Sequence, residues 1–394
     1  MSGHSRLPRD FILCFASSFF GYTCITIFFL HPLILELQHV PPLAIGTVWF
    51  LFEAGISGFR PWANILIQKH GSRWGIRCGL WLLLGGTAIL CFASSLGTIL
   101  LGRGLQGMGW GIFTVAAFLH QAAVLPPDIR GFGFGLSGLS QLLPQIALVP
   151  LAEYLILQGF LRAPLFLALG ATALGLGAGF ALRFRGGQPG ETDPPVLLRH
   201  AARTAWKTPP LRGIILSYAI YALMTAPVMP FIANAAKEWN TAGSFFLFPC
   251  ALAAVLSRAI LTRLVDRLGE KMLLPAFFTL FGGALCALWG KTTLFFILGG
   301  SCSGIGMGLV QPLLQSLLTH HTPEHLRPSQ FALFGAAMDL IWLGTPFIIS
   351  GGAALLGYGG ILRITSTLAF ATLPLLYFVL WPPLRQEEPP SSAL

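Results

Sequence analysis

The stretch GFRPWANILIQKHGSRWG, Gly58 to Gly75, opens apolar and closes basic, and it sets Arg60 inside what otherwise reads as a hydrocarbon-facing helix. A guanidinium is costly there unless water or a partner reaches it. The arrangement returns 198 residues later: Arg258 precedes Asp266, Arg267 and Gly269 as Arg60 precedes Gln68, Lys69 and Gly71. Further on, Gly107, Gly109 and Gly111 recur as Gly304, Gly306 and Gly308, now at an offset of 197. The loops PPDIR and PEHLR match at the same offset, Pro126 and Arg130 against Pro323 and Arg327. One small indel accounts for the change. The chain is an internal duplication.

Composition says of what. Of 394 residues 55% are hydrophobic and only 10% charged, far too few charges for the surface of a soluble protein of this length. Apolar runs of about 20 residues, each enough to cross a hydrocarbon core, recur throughout. They number twelve, near 11–36, 43–67, 76–96, 98–122, 131–156, 162–182, 211–235, 242–264, 272–290, 293–318, 330–353 and 361–381. The expected fold is an all-α membrane protein of 12 transmembrane helices in two six-helix pseudo-symmetric bundles. Like-oriented repeats related by an axis along the membrane normal are an architecture of alternating-access carriers.

The net charge of +10 is distributed as the positive-inside rule requires, which argues against nucleic acid as the partner. Seventeen of the 24 Lys and Arg residues fall in alternate loops, four (Arg162, Lys237, Lys291, Arg363) in the opposite set, and Arg60, Arg103 and Arg258 within helices. Both termini are thus expected in the cytoplasm, the chain in a bacterial inner membrane, and the basic loops against anionic lipid headgroups. The basic, apolar N-terminus resembles a signal peptide, but its run is long and lacks a small-residue cleavage site, so it reads as an uncleaved first span. The seven cysteines lie in or beside apolar segments without CxxC spacing, which indicates neither disulfide nor zinc.

The polar segment from Arg183 to Pro210 divides the chain near its middle. The expected organisation is a bundle at 1–182, a cytoplasmic linker at 183–210 with a short amphipathic helix near Pro195–Trp206 on the membrane surface, a second bundle at 211–382 and a tail at 383–394.

These residues resemble a known family. LIQKHGSRWG is similar to the signature between helices two and three of the major facilitator superfamily, G-x-L-x-D-R-x-G-R, and its second copy LTRLVDRLGEK is closer to it. RGLQGMGWG resembles the helix-four signature R-x-x-Q-G-x-G through Arg103, Gln106, Gly107 and Gly109. The first copy departs from the pattern at Gln68, where the family has Asp, and at Asn64, where it has Gly. The resemblance implies a cytoplasmic gate of Gln68, Lys69, Arg73 and Arg130 with Asp266 and Arg267, weakened at Gln68 because an amide supplies no charge to a helix N-terminus. The fifth-helix antiporter signature is not recognisable in GLSGLSQLLPQIALVP, and GTPFIISGG in span eleven is a loose echo of it.

Ionisable residues singled out within the spans are Glu53, Arg60, Arg103, Glu153, Arg258 and Asp339, none of them in spans three, six, nine or twelve. Arg60 and Arg258 each lie about 12 Å above the end of their helix at 1.5 Å per residue. Together they offer two planar donor forks to a carboxylate or phosphate, or else each is a structural ion-pair partner in its own half. Glu53 and Asp339 are candidates for proton coupling, since a cavity carboxylate is poised between desolvation and a neighbouring arginine; a fixed pair of Asp339 with Arg258 is the competing reading. Arg103 matches the signature arginine linked to proton movement in the family's antiporters, unless Glu153 holds it structurally. Tyr22, Trp110, Gln141, Tyr218, Tyr221, Gln311 and Gln315 are candidate substrate contacts, with packing the competing role for the aromatics. THHTPEH gathers His320, His321, Glu324 and His325, but it aligns with the ordinary loop PPDIR and is not taken as a metal site. No cofactor is expected, and no nucleophile–base set suggests an enzyme. The expected function is proton-coupled export of a small organic solute by a monomeric carrier. Proton symport of an anionic or zwitterionic metabolite is the alternative, and lipid flipping a more distant one.

Overall fold

In the computed structural model, residues 7–126, 129–184, 198–323, 326–382 and 384 are described, and they are helical almost throughout, with no strand among them. The first six spans are α1 (Arg9–Leu37), α2 (Pro42–His70), α3 (Ser72–Phe92), α4 (Leu96–Val124), α5 (Arg130–Leu157) and α6 (Ala163–Ala181). A short helix, Leu198–Lys207, leads to α7 (Pro209–Glu238), α8 (Ser244–Leu268), α9 (Leu273–Gly290) and α10 (Thr293–His320). The helical run Arg327–Ala371 is broken at Gly357 into α11 (327–356) and α12 (358–371), the latter extended by Leu373–Leu375 and Leu376–Leu380. Among the described residues eleven apolar helices are long enough to span, and the break at Gly357 divides the last of them in two, giving twelve.

Two boundaries have causes that the apolar pattern does not show. In α1, Pro32 has no N–H to donate, and the helix tightens to a 3₁₀ turn over Phe28–Leu30 just before it. Between α11 and α12 the sequence suggests a loop at 354–360, whereas one residue makes the turn: Gly357, at φ 72°, where a side chain is strained. The freed amides of Tyr358 and Gly359 donate to the Glu238 carboxylate at the end of α7, at 2.6 and 3.0 Å. A Cβ on Gly357 would sit 2.8 Å from that carboxylate. Gly357→Ala is therefore expected to lower stability by about 1–2 kcal/mol, read as an earlier thermal unfolding of the detergent-solubilised chain.

The chain packs as two compact units: Met1–Glu191 with Pro346–Leu355, and Thr192–Thr345 with Leu356–Leu394. Within the first unit, α4 packs on α2 and α3, and α1 on α5 and α6. Within the second, α10 packs on α8 and α9. The duplicated glycines explain the correspondence. A Cβ on Gly107 would fall on the carbonyl of Phe52, and one on Gly304 on that of Cys250, the equivalent residue. Gly109 lies against Gly79 and Leu83, and Gly306 against Ala276 and Leu280, again matching positions. Small residues let helix backbones meet where lipid offers no hydrophobic drive to association. Even the caps repeat: Ser95 accepts from the Thr98 amide to start α4, and Thr292 from the Phe295 amide to start α10.

At the end of α6, Arg77 donates to the carbonyls of Gly179 (3.1 Å), Phe180 (2.8 Å) and Leu182 (3.3 Å), and Arg73 to that of Arg183 (3.2 Å). The Asp10 carboxylate accepts from the amides of Arg183 and Phe184. The orphan carbonyls of a helix terminus are thereby met by the arginines of α3, and the amides just beyond it by Asp10 of α1.

Candidate functional site

The densest polar grouping in the first unit centres on Arg103, which α4 carries fully buried. Its Nη1 donates to Gln106 Oε1 at 2.8 Å, one helical turn on. Gln106 Nε2 in turn donates to Thr87 Oγ1 of α3 at 2.8 Å, and Thr87 donates to the Leu83 carbonyl at 2.7 Å. Cys24 of α1 lies 3.4 Å from Thr87 Oγ1. The rest of the guanidinium faces rings: its carbon is 4.2 Å from the centroid of Phe52, 4.7 Å from that of Trp49 and 5.1 Å from that of Phe28. An arginine with its charge spread over ring faces is attracted by each ring quadrupole, more strongly when desolvated. The carboxylate whose charge acts on it is Glu53, itself buried on α2. Glu153, the other candidate counter-ion, is buried on α5.

The duplication supplies an internal comparison. Arg103 corresponds to Gly300, Glu53 to Ala251, Gln106 to Ser303 and Thr87 to Ala284. Gly300 rests on the backbone of Phe246, and Ala251 and Ala284 are buried. The same helix packing is thus achieved in the second unit without a charge.

In the second unit the aromatic candidates come together. Tyr218 and Tyr221 on α7 are both buried, with ring centroids 5.6 Å apart and planes within 5°. Phe334 of α11 stacks on Tyr218 at 3.7 Å, extending the ladder to a third ring. Arg258 on α8 exerts its charge on Tyr221, and its Nε donates to the carbonyl of Gly308 at 3.3 Å. Gly308 itself packs on Ala254, so the close approach of α10 and α8 brings that carbonyl within reach. A flat apolar face beside a permanently charged donor fork is suited to an organic anion.

The other candidates are dispersed. Tyr22 meets Trp110 edge-on at 4.7 Å, and Trp110 continues to Phe113 at 5.5 Å, all in the first unit. Arg60, Gln311, Gln315 and Asp339 are half-buried, and Gln141 and Lys69 are exposed. Arg60 belongs to the first unit and Arg258 to the second. The side chains of Gln68, Arg130, Asp266 and Arg267 lie outside the described residues, as do Glu324 and His325.

Two buried histidines escape a reading that looks for Asp, Glu and Arg. His31 follows the 3₁₀ turn of α1 and is 3% exposed. His120, fully buried near the end of α4, has Nδ1 3.0 Å from Ser72 Oγ and its ring edge-on to Phe184 at 5.8 Å. The dipeptide His31–Pro32 inside an apolar run is the signal that marks the first, because proline there predicts a local break. Phe334 was visible only once α11 and α7 were placed.

Known proteins agree with this architecture. The family model described as Major Facilitator Superfamily matches residues 11–346 and, in a second match, 214–393. No curated protein sequence matches the chain. Among solved structures, the human organic anion transporter MFSD10 (TETRAN) superposes with a TM-score of 0.69 at 16% identity, over 93% of this chain and 99% of its own. The nucleoside transporter NupG does so at 0.77 and 11% identity, over 94% and 99%. A POT family transporter solved with 5-aminolevulinic acid gives 0.79 and 12% identity, over 96% and 97%.

Proposed function

The chain belongs to the major facilitator superfamily, a multi-pass membrane protein of secondary-transporter type, and from that premise we propose that it exports a small organic solute in exchange for protons. The observation carrying this reading is the fully buried Arg103, with the charge of the buried Glu53 acting on it, in one repeat and Gly300 and Ala251 at the same places in the other. Buried charges that the second repeat does without are candidates for chemistry, and a buried carboxylate in the field of a guanidinium can exchange a proton as its surroundings change. Arg103 and Glu53 serve as the coupling group, Asp339 as a further carboxylate, and Arg258 with Tyr218, Tyr221 and Phe334 as the substrate side of the second unit.

The Arg258–Tyr221 juxtaposition favours an anionic solute carrying a flat apolar group, and uptake of such an anion by symport is the second reading. MFSD10 is named an organic anion transporter, and the ligand of the POT family structure carries a carboxylate, the group to which the Arg258 guanidinium would donate.

The test begins with a solute panel read by thermal shift, since a ligand that binds only the folded state raises its stability by mass action, about 2.7 kcal/mol at a hundred times Kd. Organic anions are expected among the stabilising solutes. Arg258→Gln should weaken their binding by about tenfold to a hundredfold, corresponding to one charge-assisted hydrogen bond, with little change in the unliganded melt. Flux of the selected solute is then followed in vesicles of either orientation with an imposed pH gradient. Flux indifferent to the gradient would remove proton coupling.

A further inference from the structure

We infer that the pocket of about 270 Å³ formed by His70, Arg73, Trp74 and Arg77 holds the phosphate of one anionic phospholipid. The inference is independent of proton coupling and of the transported solute, and it has its own measurement.

The pocket is built where α2 turns into α3. Gly71, at φ 87°, makes that turn, and the His70 ring comes to lie on Trp74 with centroids 4.9 Å apart and planes at 30°. Arg73 and Arg77 are four residues apart on α3 and so share one helix face. Neither guanidinium is loose. Nη1 of Arg73 donates to the carbonyl of Arg183, and Nε and Nη2 of Arg77 donate to those of Gly179, Phe180 and Leu182. These bonds fix both groups, yet Nε and Nη2 of Arg73 and Nη1 of Arg77 have no acceptor among the described residues. The side chains lining the pocket include two permanent cations and no carboxylate. The charge of Arg73 acts on Arg77, a repulsion between like neighbours. Asp10, the acid of this region, is engaged with the amides of Arg183 and Phe184. An anion between the two arginines relieves that repulsion and meets the donors left over, and a phosphate suits the planar fork of a guanidinium.

Position decides where the phosphate comes from. Arg77 follows Ser72, the first residue of α3, by about 7.5 Å along the helix axis, which sets the pocket at the edge of a span. Deeper along the same seam of α3 and α6 the surface is aromatic and faces outward. The Arg77 guanidinium lies 5.0 Å from the centroid of Phe180, and Trp81 meets Phe180 edge-on at 6.5 Å. Phe180 is 51% exposed and Trp81 54%. Such rings belong at the boundary between headgroups and chains. A phosphate borne at the head of acyl chains can lay those chains along them, whereas a soluble phosphate gains nothing from them. The pocket is particular to one copy. By the register that matches Gly79 with Ala276, the place of Arg77 is taken in the second unit by Leu274. Basic loops attract anionic lipids diffusely and in both units; this pocket binds one lipid in the first.

The measurement uses the full chain in phosphatidylcholine nanodiscs doped with phosphatidylglycerol brominated near the headgroup end of its chains. Of the ten tryptophans, the light quenched at Trp74 is isolated as the difference from Trp74→Phe, and each variant is read against its own Trp74→Phe form. The expected result is quenching that saturates as the brominated fraction rises. Arg73→Lys and Arg77→Lys keep the charge but lose the planar fork, and each should raise the half-saturating fraction about tenfold. Should Arg77→Lys fold poorly, because Arg77 holds three carbonyls of the α6 end, Arg73→Lys disturbs only one. Lys207→Gln, at an exposed cation of the second unit, should leave the curve unchanged. Quenching that never saturates, lysine variants that match the wild type, or an equal loss in Lys207→Gln overturns the inference in favour of diffuse attraction. Glycerol phosphate at matched ionic strength separates the two sources of phosphate. It should leave the quenching in place, and displacement of the lipid by it would make a soluble phosphate the occupant and overturn the lipid assignment.

Discussion

Glu53→Ala is expected to destabilise the protein by about 3–5 kcal/mol, whereas Glu53→Ala combined with Arg103→Leu should restore most of that loss. The reason is the asymmetry of burial. Removing the carboxylate alone takes away the negative charge that acts on a fully buried guanidinium. Removing both leaves an apolar site of the kind the second unit already contains at Ala251 and Gly300. Leucine is chosen because glycine would leave the space inside the ring of Phe28, Trp49 and Phe52 unfilled, and a cavity carries its own cost. Function should follow the opposite course. The double variant is expected to melt near the wild type while proton-driven flux falls by about a hundredfold or more, the scale on which a lost proton-transfer group acts. Thermal unfolding and vesicle flux on the same preparations check both halves. Flux that survives in a stable double variant would show the pair to be structural.

Gly107→Ala and Gly304→Ala should each be severely damaging, and to similar degrees. The added methyl would land on a peptide carbonyl, that of Phe52 in the first unit and of Cys250 in the second. A carbonyl in a helix wall cannot swing aside as a side-chain tip can, so the two helices must separate. Overpacking of this kind costs about 1–3 kcal/mol or more, and separation would disrupt further contacts along α2–α4 or α8–α10. Gly170→Ala and Gly177→Ala, with nothing within 4 Å of the added carbon, should be silent. Yield of monodisperse protein and its melting temperature distinguish the two classes. Equal damage at 107 and 304 would confirm that both copies rely on one packing solution.

The twelve spans and the duplication were legible because they rest on periodic signals: apolar length, alternating basic loops and glycines spaced two apart. The break at Gly357 was less so, since a single left-handed glycine capped by Glu238 replaces what hydropathy presents as a loop. Site chemistry was legible where it lay in charge. Arg103 and Glu53 stand out in any apolar helix, and in the fold both are buried with the charge of Glu53 acting on Arg103. Their surroundings were not legible, because Phe28, Trp49 and Phe52 are ordinary membrane aromatics until α1 and α2 converge on the guanidinium of α4. The Phe334 ring on Tyr218 is hidden for the same reason, with 116 positions separating two residues that touch. His31 was passed over because neutral imidazole does not disturb an apolar run.

The paired glycine contacts have a consequence for how such a chain diverges after duplication. Both copies keep the backbone seams, Gly107 on Phe52 and Gly304 on Cys250, so neither is free to lose its framework. Positions one turn away are under no such constraint, and there the copies have parted: a guanidinium in one, a hydrogen atom in the other. The second copy thus preserves a charge-free version of the same seam. It is a reference state carried within the molecule, against which each later acquisition in the first copy can be measured.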